Sequence, residues 1–209
     1  MYNCNTMVEG KKVQTIATYD KAAPDLAWKF NMIGVRDEDI DRLFSYLTAQ
    51  DPAILEIGCG NGRDGKEIAR RTPHYRGIDI SRRMIDFAQS QVSDAQFEVA
   101  DAETYEYPAG LDAIVSFASL LHSDKAAIRS LFERAHAALK PGGIFYISLK
   151  KGAYEEGGTL KQDEFGSRTF FYYTPKEIQE IAGDLYDTKH VEEKNIRDVD
   201  WFTIVLARK

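Results

Sequence analysis

The sequence predicts an α/β fold with a mostly parallel sheet, and three observations carry that expectation. Short apolar strands alternate with amphipathic helices, a glycine-rich turn directly follows the first strand, and acidic residues close the next two strands. Strand–helix–strand units imply right-handed crossovers and helices on both faces of the sheet.

The first 50 residues read as a helical cap. Ile16, Tyr19, Ala23, Leu26, Ala27 and Phe30 recur at helical spacing, and Pro24 bends or splits the segment. Asp37 is placed to cap a further helix with Ile40, Leu43, Phe44 and Leu47 on one face. Residues 51–150 carry the alternating core. Its strands are Ala53–Ile57, Tyr75–Ile80, Gln96–Ala100, Ala113–Phe117 and Gly143–Leu149. A helix follows the glycine turn through Arg71. Ser81 caps a second carrying Met84, Ile85 and Ala88, and Ala126–Leu139 is a third.

Residues 151–209 break the rhythm. Thr169–Tyr173 reads as a strand, and Thr174-Pro175 opens a helix to about Gly183. Val191–Asn195 and Trp201–Ala207 are joined by the polar turn Ile196–Asp200, a connection short enough only for an antiparallel pair. With no internal repeat and no long linker, all 209 residues are expected to form one domain.

Composition excludes several classes. The formal net charge of −6 argues against binding to phosphate backbones, and Arg70-Arg71 and Arg82-Arg83 read as solvated helix-end charges. The two cysteines, Cys4 and Cys59, are not expected to pair, and no CxxC or HExxH pattern offers a metal site. The N-terminus lacks the pattern of a signal peptide, and no apolar run approaches the roughly 18–20 residues of a membrane span. A cytoplasmic protein, monomeric or homodimeric, without nucleic-acid or membrane partners is expected.

The glycine turn is Glu56-Ile57-Gly58-Cys59-Gly60-Asn61-Gly62. Glycines there let a ligand touch the main chain at the carboxyl ends of the strands. The dinucleotide fingerprint G-x-G-x-x-G needs glycine where Arg63 stands, which argues against a nicotinamide-dependent oxidoreductase, and the Gly-Lys-Ser/Thr ending of a P-loop is missing. No Lys or Arg lies within the turn, so it suits a ligand without phosphates. Asp79, ending the second strand, is placed to accept both hydroxyls of a ribose. Asp101, after the third, is placed to accept from an adenine amino group. Either aspartate alone reads equally well as a turn or cap residue.

Taken together, Ile54–Asp64, Gly77-Ile78-Asp79-Ile80-Ser81 and Val99-Ala100-Asp101-Ala102 resemble the class I S-adenosylmethionine-dependent methyltransferases, in their small-molecule branch. The likeness continues through Leu111–Val115, Ser119-Leu120-Leu121-His122 and Leu139-Lys140-Pro141-Gly142-Gly143. It covers residues 50–150. It implies a Rossmann-like, seven-stranded sheet with an antiparallel last strand, and S-adenosylmethionine as cofactor, leaving as S-adenosylhomocysteine. By that resemblance Gly58, Cys59, Gly60, Asn61 and Gly62 surround the methionine portion, and Glu56 supports the loop and the cofactor's amino group. Asp79 takes the ribose, Ile80 and Met84 flank the adenine, and Asp101 and Ala102 meet its edge. Phe117 and Ala118 lie under the methionine part.

Methyl transfer requires an acceptor held in line with an already activated methyl group, and an O–H, N–H or S–H acceptor also needs a base. His122 is the candidate base; a helix start or a loop hydrogen bond is the competing role. In similar enzymes the N-terminal segment folds over the cofactor, which offers Tyr19 and Trp28 as lid residues or as ordinary core aromatics. Arg168 and Tyr172, with Tyr173 beside them, are candidates for the acceptor mouth. Arg168 suits an anionic acceptor but equally a surface ion pair. Lys150-Lys151 and the loop to Phe165 are expected on the acceptor side. The acceptor is expected to be a small molecule; RNA or protein modification, and binding without transfer, are the alternatives.

Overall fold

The computed structural model describes residues 4–209, with side chains from residue 9 onward. Ile54–Ile57 (β1) is buried at every position, as a strand covered on both faces must be. It pairs in parallel with Tyr75–Asp79 (β2) on one side and Leu111–Phe117 (β4) on the other. Gln96–Val99 (β3) extends the sheet beyond β2, and Leu139–Lys150 (β5) extends it beyond β4.

Past β5 the direction reverses. Val199–Arg208 (β9) runs antiparallel between β5 and Tyr186–Ile196 (β8), giving the order β3-β2-β1-β4-β5-β9-β8. The expected seven-stranded sheet with an antiparallel last strand is present, and that strand is interior to the sheet. The β8–β9 turn is tighter than the expected five residues. Arg197 and Asp198 alone, at φ 52° and 61°, close Ile196 against Val199, the positive angles that match hairpin twist. Leu139–Gly143, which links the expected helix Ala126–Leu139 to the expected strand Gly143–Leu149, belongs to β5 as an irregular start whose register against β4 shifts before Ala113.

Helices cover both faces. Asp37–Ser45 (α3), Arg63–Arg71 (α4) and Arg82–Gln91 (α5) bury Ile40, Ile68 and Ile85 in one apolar cluster. Lys125–Ala138 (α6) and Pro175–Ala182 (α7) bury Ile128, Phe132 and Ile178 in the other. Each such side chain contributes roughly 1.5–3 kcal/mol of burial. Ser81 caps α5 as expected, accepting from the Met84 N–H, and Thr174 with Glu177 forms a reciprocal capping box on α7. Asp37 does not cap α3: it lies inside the first turn, after Arg36.

The N-terminal cap is two helices, Cys4–Lys21 (α1) and Ala23–Ile33 (α2), split just before Pro24. Ala22, Ala23 and Leu26 bury against Met84 of α5. The strand expected at Thr169–Tyr173 is displaced. Gly166–Phe170 (β7) pairs with Thr159–Asp163 (β6) as a hairpin outside the main sheet. Helix α1 is fastened to it: Thr15 Oγ1 accepts from the Thr169 N–H at 3.1 Å, and Thr18 Oγ1 donates to the Ser167 carbonyl at 2.7 Å. Cap and hairpin thus roof the carboxyl ends of the strands. Among the described residues no helix is long and apolar enough to cross a membrane.

Candidate active site

Strand order reverses at β1, with β2 on one side and β4 on the other, so a crevice opens beyond their carboxyl ends. A cleft of about 1190 Å³ occupies that position, between the strand ends and the roof.

The glycine turn forms its floor, and its three glycines do different work. Gly58, Gly60 and Gly62 all have positive φ, at 71°, 55° and 79°. A Cβ on Gly58 would lie 2.0 Å from Ser119 Oγ, so the turn is packed against the segment after β4. A Cβ on Gly60 would meet nothing within 4 Å, because Gly60 faces the cleft. Gly62 does not line the cleft; it lets α5 approach, with Ala88 Cβ 3.0 Å from the Cβ it lacks. Asn61 Nδ2 donates to Asn31 Oδ1 at 2.8 Å and to the Ala27 carbonyl at 3.3 Å, tying turn to cap. Cys59 is buried with a free thiol whose pKa burial pushes up.

Glu56, Asp79 and Asp101 face the cleft around this turn. Glu56, buried in β1, accepts from the Tyr75 hydroxyl at 2.5 Å. Burial, with the charge of Asp64 nearby, raises its pKa to about 8 despite that hydrogen bond. Asp79 accepts from the Gly60 N–H through one oxygen and the Ser81 N–H through the other, both at 2.9 Å. Burial raises its pKa against those two donors. It therefore does hold the turn, yet each carboxylate oxygen has a second lone pair, and Asp79 lines the cleft. Asp101 accepts from the Glu103 N–H and pairs with Lys12 of α1 at 2.7 Å, while Lys12 also reaches Glu103 at 2.8 Å.

The other expected residues converge on the same cleft. Ile80, Met84, Ala102, Phe117 and Ala118 line it, as do Tyr19, His122 and Arg168. Ala118 stands at φ 61°, a left-handed conformation that costs a non-glycine residue roughly 1–2 kcal/mol and turns the chain sharply after β4. His122 Nδ1 lies 2.6 Å from the Thr169 carbonyl, which can only accept, so Nδ1 carries the proton. Nε2 is then an acceptor, and the Tyr19 hydroxyl donates to it at 2.9 Å. Burial depresses the His122 pKa to about 4, against the Thr169 hydrogen bond that raises it. Arg168 stacks over the Tyr19 ring at 5.4 Å and pairs with Asp163.

Besides Gly62, four expected residues fall outside the cleft: Tyr173 is buried in the core with its hydroxyl donating to the Ser123 carbonyl, and three more lie elsewhere. Tyr172 packs over Gly152, Trp28 is 67% exposed on α2, and Lys151 pairs with Glu193. Sequence reasoning missed Lys12, Thr169 and Phe170, which line the cleft from segments without a motif, and gave no role to Ser119, which lines it from within the Ser119–His122 motif. Among the described residues no cluster of His, Cys, Asp and Glu could hold a metal.

The glycine turn itself carries no Lys or Arg, and Glu56, Asp79 and Asp101 bring hydrogen-bond acceptors to the cleft around it. Residues 54–143 match the family model described as a methyltransferase domain. The matched segment runs from β1 to the start of β5, and the fold is that of solved S-adenosylmethionine-dependent methyltransferases. An uncharacterized methyltransferase of Mycobacterium tuberculosis is 36% identical over 110 residues, covering 48% of this chain and 55% of that protein. The chain thus spans about half the length of that relative. A malonyl-[acyl-carrier protein] O-methyltransferase of Ilyobacter polytropus is 27% identical over 207 residues, 92% of this chain and 75% of that one. A SAM-dependent methyltransferase of Methanosarcina mazei shares the fold, with a TM-score of 0.67 at 22% identity over 79% of this chain and 96% of its own.

Proposed function

We propose that this protein binds S-adenosylmethionine on the glycine turn and transfers its methyl group to a small-molecule acceptor. The observation that carries the reading is the single cleft in which Gly60, Glu56, Asp79 and Asp101 face the Tyr19–His122 pair. When bound, the cofactor supplies a methyl group on a sulfonium, activated for direct attack.

The chain's own residues bind, orient and handle a proton. Glu56 and the main chain at Gly58–Gly60 hold the amino acid end. Asp79 takes the ribose hydroxyls on its free lone pairs, and Asp101 with Ala102 meets the adenine. Ile80 and Met84 give the adenine an apolar wall, and Phe117 and Ala118 support the methionine portion. The roof of α1 and the β6–β7 hairpin excludes water from the acceptor. An acceptor proton passes to the Tyr19 hydroxyl oxygen as Tyr19 hands its own proton to His122 Nε2, the relay that their hydrogen bond allows. An acceptor that is already an anion needs no such transfer. A cleft of about 1190 Å³ exceeds the roughly 300–1,000 Å³ that one drug-sized ligand fills, which supports a cofactor and a second small molecule together. The acidic balance supports a small acceptor over a nucleic acid, and a cytoplasmic setting fits a chain without a spanning helix among its described residues.

Thermal unfolding with S-adenosylmethionine, S-adenosylhomocysteine and NAD tests the cofactor. At about 100 times Kd a native-state ligand adds roughly 2.7 kcal/mol. For a chain of this size that is a Tm rise of about 5–11 °C. The rise is expected with the two adenosyl compounds and absent with NAD; a rise with NAD alone would overturn the assignment.

A further inference from the structure

One corner of the cleft has an excess of positive charge in a protein whose net charge is −6. Lys150, at the end of β5, is half-buried, and its Nζ lies 4.5 Å from the centre of the Phe170 ring. Arg168 faces the same ring at 5.6 Å, and Lys161 is its cross-strand partner in the β6–β7 hairpin. Lys29 approaches from α2, over Phe165 at 4.5 Å. All four line the cleft.

Carboxylates do not balance them. Asp163 pairs with Arg168, and Glu164 reaches Lys29 at 3.4 Å. Among the described residues Lys150 and Lys161 have no carboxylate within 4.0 Å. The Arg168 side chain is 10% exposed, and its Nε is buried without a hydrogen-bond partner, as is the Thr169 hydroxyl beside it. Buried donors left unsatisfied in a native protein are costly, and a charged corner that holds them is complementary to an anion. Burial and the neighbouring cations Arg168, Lys161 and Lys29 lower the Lys150 pKa, a penalty that a bound anion relieves.

We propose that this corner is an anion subsite, in which Lys150, Lys161 and Arg168 hold a carboxylate or phosphate group of the methyl acceptor. Phe170 bridges it to the Tyr19–His122 pair, with His122 and Phe170 ring centres 4.9 Å apart. The group held there need not be the one methylated; it fixes the acceptor's orientation, and a neutral analogue loses that anchor. Calling the ligand an acceptor rests on the methyl-transfer reading, whereas the charge of the subsite does not.

The test is equilibrium binding, by calorimetry and Tm, of succinate, inorganic phosphate and neutral succinamide, with and without saturating S-adenosylhomocysteine. At least one of the two anions is expected to bind and succinamide not to. Lys150→Gln/Lys161→Gln is expected to weaken the anion about tenfold or more and leave S-adenosylhomocysteine affinity unchanged. Lys150→Arg, which keeps the charge, is expected to retain binding. Equal binding of succinamide, undiminished binding in the double variant, or binding of neither anion would each overturn the subsite. Anion binding without any S-adenosylhomocysteine binding would support the subsite and overturn the cofactor reading, so the two failures are separable.

Discussion

At the scale of the residue, hydrogen-bond bookkeeping decides which state a side chain occupies. The Thr169 carbonyl leaves His122 only one tautomer, and that tautomer makes Tyr19 the donor. Nitrogen-15 NMR of the imidazole is therefore expected to show a neutral, Nδ1-protonated ring at neutral pH that titrates near 4. Titration near the ordinary 6.5 would show that Thr169 and Tyr19 do not hold the ring as described. Tyr19→Phe is expected to shift the Nε2 resonance alone and leave Nδ1 protonated. The sequence put His122 after the fourth strand and named it as a base, but nothing in the chain order marks Thr169 as its partner. Tyr19 lies in the cap, Thr169 in the hairpin, and they meet only across the roof. The glycine turn was legible because positive φ and close approach restrict which residues a turn accepts. That Gly62 packs a helix while Gly60 faces the ligand was not, since both require the same residue for different reasons.

Among the elements, β9 carries the most consequence. It lies between β5 and β8 and is buried from Phe202 to Ala207, whereas β8 is an edge strand with mostly exposed side chains. Ile204→Ala, at a position 0% exposed, is expected to cost about 2–5 kcal/mol in chemical denaturation. Val191→Ala on β8, 39% exposed, is expected to cost under about 1 kcal/mol. Comparable losses at both sites would contradict the placement of β9 inside the sheet. The sequence marked the pair as antiparallel. It did not show that the last strand inserts, because insertion depends on which edge of β5 is free. The β6–β7 hairpin escaped for a related reason. β6 is exposed along almost its whole length, so it lacks the alternation that betrays a half-buried strand.

In the molecule as a whole, two buried groups, Glu56 and His122, are shifted in opposite directions, toward and away from neutral pH. Glu56, raised from 4.5 to about 8, keeps in the folded chain a proton that the unfolded chain releases, so it lowers stability as pH rises across that window. His122, lowered from 6.5 to about 4, refuses in the folded chain a proton that the unfolded chain takes, so it lowers stability as pH falls across its own. Between about 4.5 and 6.5 the two slopes oppose each other, and from 6.5 to 8 the Glu56 slope is no longer opposed by His122. Tm measured against pH is expected to fall between pH 6.5 and 8, and Glu56→Gln is expected to flatten that fall. An unchanged slope in the variant would assign it to another group.

From sequence alone came the alternating α/β plan, the glycine turn after β1, the acidic residues at the ends of β2 and β3, and the antiparallel C-terminal pair. These follow from local rules: periodicity reports which face is buried, and a short connection or a tight turn limits the backbone within a few residues. Tertiary structure alone decided that Lys12 reaches Asp101, that Tyr19 and Thr169 hold His122 between them, and that Lys150 and Arg168 meet over Phe170 with Lys161 across the hairpin from Arg168. Each of these joins segments from separate parts of the chain through side-chain geometry. No local pattern encodes that geometry, because it is set by how the cap and hairpin pack over the ends of the sheet.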